Sequence, residues 1–194
     1  MAEVQSTFML SPGDGAPDFT LPDANGVMLT RGDASGARGL LVAFVCNHCP
    51  FVLHLADALG ALSAELAALD VGTVAINPND LARYPQDGPE AMVAFASEHG
   101  WRFPYLLDES QAVAKAYGAA CTPDFYVVDA DGRVFYTGQF DDSRPRGSQR
   151  AHGGDISETV RRMLAGEAPL ARPYPSSGCN IKWKPGNEPQ WGRP

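Results

Sequence analysis

Cys46-Asn47-His48-Cys49-Pro50 is the segment of this chain where side chains capable of redox chemistry crowd together. Two thiols separated by two residues meet within disulfide distance when they sit on the first turn of a helix, and point apart when they sit along a strand. A helix starting here would also present unpaired backbone N–H groups and the positive end of its dipole to the sulfurs, so the spacing predicts a depressed pKa for the more N-terminal Cys46. A protonated His48 would favour that thiolate further, with Asn47 and Pro50 framing the pair. The chemistry implied is thiol–disulfide exchange: Cys46 attacks a substrate disulfide, and Cys49 attacks the resulting mixed disulfide and closes the ring. A CxxC can also hold structural zinc, but that needs a second such pair or a Cys/His pair at matching spacing, and the chain of 194 residues has neither. An inert buried pair is the plainest alternative. No metal and no other cofactor is expected.

The flanking segments explain how the pair would be positioned. Leu40–Val45 is apolar on both faces and bounded by Gly39, which suits a central buried strand. Residues 51–69 show Leu, Ala and Val at helical spacing, so the cysteines lie where a strand hands over to a helix. Upstream, Asp23-Ala24-Asn25-Gly26 predicts a hairpin turn leading into Val27-Met28-Leu29. Downstream the pattern predicts a strand at 71–76, a helix at 89–99, a strand at 103–107 and a helix at 110–117. A hairpin of 125–128 with 134–136 about Asp129-Ala130-Asp131-Gly132 and an amphipathic helix at 155–164 complete it. Alternating strands and helices followed by a hairpin and a helix predict an α/β fold with a mixed central sheet flanked by helices. Residues 1–166 read as this one domain. From Glu167 the composition changes, with Pro169, Pro173, Pro175, Pro185, Pro189 and Pro194, and residues 167–194 read as a tail. Its Ile181, Trp183 and Trp191 predict that part of it packs back on the body.

Composition narrows the function. Lys+Arg 15 against Asp+Glu 23 gives a formal charge of -8, which repels phosphate backbones and anionic lipid headgroups, so neither nucleic acid nor membrane is an expected partner. Arg144, Arg146 and Arg150 cluster in a loop and read as a solvated face or as a contact for an anionic substrate. The start, Met1-Ala2-Glu3, offers neither a basic stretch nor a long apolar core, so no secretory signal is read and a reducing, cytoplasmic compartment is expected. Four cysteines are too few for a secreted disulfide scaffold, and each needs its own reason.

The chain resembles the thioredoxin-like superfamily, and within it the redoxin or peroxiredoxin-like group that carries a CxxC. Ala16-Pro17-Asp18-Phe19 is similar to the redoxin lead-in, and Cys46-Asn47-His48-Cys49-Pro50-Phe51-Val52 to its active-site turn. Ala114-Lys115-Ala116-Tyr117-Gly118 followed by Thr122-Pro123 resembles the segment that delivers the superfamily's cis-proline beside the CxxC, and Gly178-Cys179-Asn180-Ile181-Lys182-Trp183 resembles the group's C-terminal signature. The resemblance implies a thioredoxin-like fold and a cis peptide at Pro123 that exposes the Thr122 backbone to an extended substrate. It also implies a disulfide-bearing protein or small thiol as substrate, and a thioredoxin- or glutathione-type electron donor.

Departures from the thioredoxin pattern carry expectations of their own. No carboxylate lies between Leu40 and Val45, so the buried acid beneath a thioredoxin's CxxC is missing and proton transfer must go elsewhere. His48 is similar to the dipeptide of strongly oxidising periplasmic enzymes, which predicts a potential between their value of about -120 mV and thioredoxin's, about -270 mV. Placing Cys49-Pro50 on the peroxiredoxins' reactive Cys-Pro is the alternative, an antioxidant peroxidase. The Thr or Ser three residues earlier is then Cys46, and the polarising Arg is Pro123, so peroxidase activity should be weak. Cys121 reads as a buried small hydrophobe or a third redox thiol; Cys179 would resolve an oxidised active-site cysteine or pair with Cys121. His54 with the two cysteines could serve a copper or zinc carrier, a minor alternative; a packed helix histidine is the plain one.

Overall fold

The structure, a computed structural model, describes residues 3–192. In chain order the strands are β1 (Glu3–Gln5), β2 (Thr20–Pro22), β3 (Met28–Thr30), β4 (Gly39–Phe44), β5 (Val71–Asn77), β6 (Tyr105–Leu107), β7 (Cys121–Thr122), β8 (Asp124–Asp129), β9 (Val134–Gly138) and β10 (Ser177–Asn180). The helices are α1 (Arg31–Ala34), α2 (Pro50–Ala67), α3 (Pro89–Glu98), α4 (Ala112–Tyr117) and α5 (Gly154–Leu164). β2 and β3 form the N-terminal hairpin, with Leu21 opposite Leu29.

β4 is the centre of the molecule. It pairs antiparallel with β8 from Gly39–Asp129 to Phe44–Asp124, β8 pairs antiparallel with β9, and β5 pairs parallel with β6. β4 and β5 lie side by side, joined by the hydrogen bond from Val45 N–H to the Ile76 carbonyl. All six residues of β4 are buried, as a strand covered on both faces must be. Its period of two divides the core: Leu41, Ala43 and Val45 pack with α2, α3 and α5, while Leu40, Val42 and Phe44 pack with Phe19, Leu106, Tyr117, Ile181 and Trp183. The sheet is mixed and helices cover it, as the sequence pattern predicts.

α2 is long and apolar enough to cross a bilayer, a property hidden from a count of unbroken apolar runs. Here Val52, Leu55, Ala56, Leu59, Leu62 and Leu66 bury that apolar face against the sheet.

Three short strands went unread in the sequence because none carries an apolar run or follows a hairpin turn: β1, β7 and β10. They form their own antiparallel sheet in the order β1-β10-β7. The segment beyond Glu167 therefore does more than lie on the surface. Its strand β10 is sandwiched between β1 and β7, Ile181 and Trp183 are buried in the core, and Gln111 Nε2 donates to the Lys182 carbonyl. Trp191 is only partly buried.

Candidate active site

β4 ends at Phe44 and α2 begins at Pro50, so Cys46, Asn47 and His48 occupy the intervening loop and Cys49 is the N-cap of α2. This corrects the sequence expectation about which thiol gains from the helix. Pro50 sets the first helical position, because its fixed φ suits a helix start and it has no N–H to satisfy. The helix-end stabilisation therefore falls on Cys49, whose sulfur faces the backbone N–H of Val52 three residues on.

The four cysteines are buried and unbonded. Cys49 lies at the middle of a chain of three sulfurs. Its Sγ is 2.7 Å from Cys179 Sγ and 3.1 Å from the Thr122 carbonyl oxygen. That sulfur separation is shorter than a non-bonded contact and longer than the ~2.05 Å of a covalent bond. The Cys46 thiol also hydrogen-bonds to Cys49, and Cys46 Sγ lies 3.4 Å from Thr122 Oγ1. Held between thiol donors from Cys179 and Cys46, Cys49 has its pKa far below the ordinary thiol range. Cys46 is pushed the other way, by its hydrogen bond to Cys49, by burial, and by the carboxylate of Asp87. Cys179 is raised for the same first two reasons. The thiol whose pKa is lowered is Cys49, where the spacing predicts Cys46.

Asp87 was not singled out in the sequence, and it places a buried acid beside the CxxC although β4 carries none. It is fully buried beside the CxxC, accepting from Asn47 N–H at 2.9 Å and from Asn79 Nδ2 at 2.9 Å. His48 Nδ1 approaches Asp87 Oδ2 to 2.8 Å, off the hydrogen-bond direction, so both ring nitrogens stay without a hydrogen-bond partner. Its ring stacks on Tyr84 at a centroid distance of 5.5 Å, so His48 is half-buried and packed where a solvent-exposed helix start was the plain alternative. Asn47 is anchored through Oδ1 to the Tyr105 hydroxyl at 2.9 Å. Cys46 Sγ, a His48 ring nitrogen and an Asp87 oxygen lie within 4.8 Å of one another, three donors of the kinds zinc accepts.

The peptide Thr122–Pro123 is cis, as the resemblance implies, and Pro123 is buried. The accompanying expectation of a free Thr122 backbone is overturned. β10 pairs antiparallel with β7, setting Cys179 opposite Thr122 and Asn180 opposite Cys121. The chain's own tail occupies the strand position beside the cis-proline. Gly178 makes this possible: a Cβ there would stand 2.2 Å from the Thr122 carbonyl oxygen.

The pairing of Cys179 with Cys121 is excluded by the same register. Directly opposed residues share a face of a sheet and successive residues alternate, so Cys179 shares a face with Thr122 and not with Cys121. Cys121 donates instead to the Pro123 carbonyl, and burial raises its pKa. His54 engages Ser143 Oγ at 2.9 Å through Nε2, so it does not turn toward the thiols. Outside the thiols, an open groove of about 630 Å³ is lined by Pro50, Phe51, Arg144, Arg146, Glu3 and Cys179.

A dithiol at the junction of a central strand and the following helix, faced by a cis-proline loop, is the layout of a thioredoxin-like fold, which thioredoxin-like solved structures share. The Redoxin family model matches residues 11–151, and the chain belongs to that family. A crystal structure of an uncharacterized conserved protein from Geobacillus kaustophilus is 43% identical, with a TM-score of 0.91, over 96% of this chain and 98% of that one. Peroxiredoxin Bcp of Escherichia coli is 28% identical over 145 residues, covering 69% of this chain and 86% of Bcp. Thiol-disulfide oxidoreductase ResA of Bacillus subtilis is 26% identical over 132 residues, covering 64% of this chain and 65% of ResA. The relatives of this chain thus include both a thiol-disulfide oxidoreductase and a peroxiredoxin.

Proposed function

We propose that this protein is a thiol–disulfide oxidoreductase in which Cys46 and Cys49 cycle between dithiol and disulfide. The observation that carries the reading is the geometry of the pair: Cys46 and Cys49 are buried where β4 hands over to α2, with Cys49 as the helix N-cap and the cis peptide of Pro123 beside them. The Cys49 thiolate attacks a substrate disulfide, one sulfur of which leaves as a thiol. Cys46 then gives up its proton, attacks Cys49 in the mixed disulfide and releases the second substrate thiol, leaving the Cys46–Cys49 disulfide. Two electrons pass to the substrate, and a thiol-type donor restores the dithiol. A stabilised thiolate favours the reduced form, which supports a potential above thioredoxin's, about -270 mV. The roles of the two cysteines are the reverse of the sequence expectation, because the helix begins at Pro50.

Trapping tests this directly. With a protein disulfide substrate, the double variant Cys46→Ser/Cys179→Ser, which lacks both thiols beside Cys49, accumulates a mixed disulfide on Cys49; accumulation in Cys49→Ser alone would restore Cys46 as the attacker. Absence of turnover in the wild type would end the reading.

The acidity of Cys49, which precedes Pro50, favours one second reading. As a peroxidase, the Cys49 thiolate would take one peroxide oxygen to form a sulfenic acid, releasing water, and a neighbouring thiol would condense with it to a disulfide and a second water. Rapid peroxide consumption that dies with Cys49→Ala but survives Cys46→Ser would favour it.

A further inference from the structure

We infer that Cys179 is a third redox thiol, which takes over Cys49 from Cys46 and leaves the oxidised protein cross-linked between α2 and its own tail strand. The inference rests on the Cys46–Cys49 reading for its source of oxidising equivalents. It is carried by three features of the described residues. Cys179 Sγ lies 2.7 Å from Cys49 Sγ, within reach of bond formation by a small shift. The register of β10 on β7 holds Cys179 opposite Thr122, on the face that looks at the CxxC. Gly178 and the buried anchors Ile181 and Trp183 on either side of Cys179 keep that strand pressed on Thr122. An extended substrate laid beside the cis-proline would bring its cysteine to this place; here the tail supplies one.

The step is an isomerisation with no net oxidation. After substrate exchange has produced the Cys46–Cys49 disulfide, the Cys179 thiol loses its proton and attacks the Cys49 sulfur. The Cys46–Cys49 bond breaks, its electron pair leaves on Cys46, and Cys46 takes up a proton. The products are a Cys49–Cys179 disulfide and a free Cys46 thiol beside Asp87. Of the three sulfurs, only that of Cys179 belongs to a residue lining the groove with Arg144 and Arg146, so this isomer presents the oxidised centre to an incoming reducing thiol.

The test uses the full chain and 2-hydroxyethyl disulfide as oxidant. Cys46→Ser keeps three thiols, and no trypsin site separates Cys46 from Cys49, so both lie in peptide 39–83 while Cys179 lies in 163–182. After oxidation and alkylation, the expected result is loss of two thiols with peptides 39–83 and 163–182 joined. A hydroxyethyl adduct stranded on Cys49, with Cys179 alkylated, would overturn the inference. Wild-type protein mapped by fragmentation answers without any substitution: a cross-link to Cys179 with alkylated Cys46 supports it, and a Cys46–Cys49 bond alone overturns it. Cys179→Ala separates the two proposals. If it still forms the Cys46–Cys49 disulfide, the proposed function stands whatever becomes of Cys179. If it does not, while Cys46→Ser still cross-links, the function reading fails and the contact between Cys49 and the tail survives.

Discussion

Replacing Cys179 by Ala removes the largest single cause of the acidity of Cys49. A hydrogen bond to a charged acceptor is worth about 1.5–3 kcal/mol, and one pKa unit corresponds to about 1.4 kcal/mol, so the Cys49 pKa should rise by about 1–2 units. The Cys46 thiol and the Val52 N–H remain, so the value stays below that of a free thiol. Thiolate absorbance at 240 nm, followed anaerobically on reduced protein from acid to neutral pH, reads the shift. Cys49→Ser should abolish the acidic transition, and Cys179→Ser, which keeps a hydroxyl donor, should move it less than Cys179→Ala. The same shift has a stability signature. A folded-state pKa depressed below the unfolded value contributes stability that is complete above the unfolded thiol's pKa and is lost as pH falls toward the folded one. Cys179→Ala should therefore be less stable than the wild type at neutral pH by an amount that shrinks in acid. A transition that ignores Cys179→Ala, or one that survives Cys49→Ser and vanishes in Cys46→Ser, would refute the placement of the charge.

Burial raises the Asp124 carboxyl from the usual 3.8 to about 6, against the hydrogen bond from Ser6 Oγ at 2.7 Å. A raised acid favours the fold while protonated, so its contribution is full below 3.8 and is lost as pH climbs through about 6. The shift of 6 minus 3.8 is 2.2 units, or roughly 3 kcal/mol. Asp124→Asn should therefore gain on the wild type between pH 4 and pH 7 in urea unfolding; an advantage independent of pH would sink the argument. Gly178→Ala should lower the unfolding temperature by a cost of about 1–3 kcal/mol, because its Cβ meets the Thr122 carbonyl, and should weaken the Cys49–Cys179 cross-link. Unchanged melting and cross-linking would show that β10 tolerates the displacement. Asp87→Asn removes the charge that opposes a Cys46 thiolate, so in a Cys49→Ser background alkylation of Cys46 should reach half its maximum at lower pH than with Asp87 intact. No movement of that midpoint would mean that Asp87 shapes the loop without acting on the sulfur.

Much of the frame was readable from pattern alone. The unbroken apolar run before Cys46 is the mark of a strand buried on both faces, and the helical spacing of Leu and Ala after Phe51 is that of a helix lying on a sheet. The hairpin turns at Asp23–Gly26 and Asp129–Gly132 carry their own chemistry in Asp and Gly. β1, β7 and β10 were invisible because none carries an apolar run or follows a hairpin turn, and nothing local says which strand each will pair with. Asp87 escaped notice for a similar reason, standing among surface-type residues with Pro85, Gln86 and Gly88.

The sequence by itself determined that two thiols would stand where a buried strand meets a helix, because hydrophobic period and the Cys-x-x-Cys-Pro spacing are local properties. Only the tertiary structure decided which sulfur carries the charge and what surrounds it. That depends on Pro50 starting the helix after Cys49, on Asp87 arriving 41 positions after Cys46, and on Cys179 arriving 130 positions after Cys49. Electrostatic and hydrogen-bond shifts fall off within a few ångströms, so a thiol's acidity is set by its neighbours in space, which a linear reading does not contain.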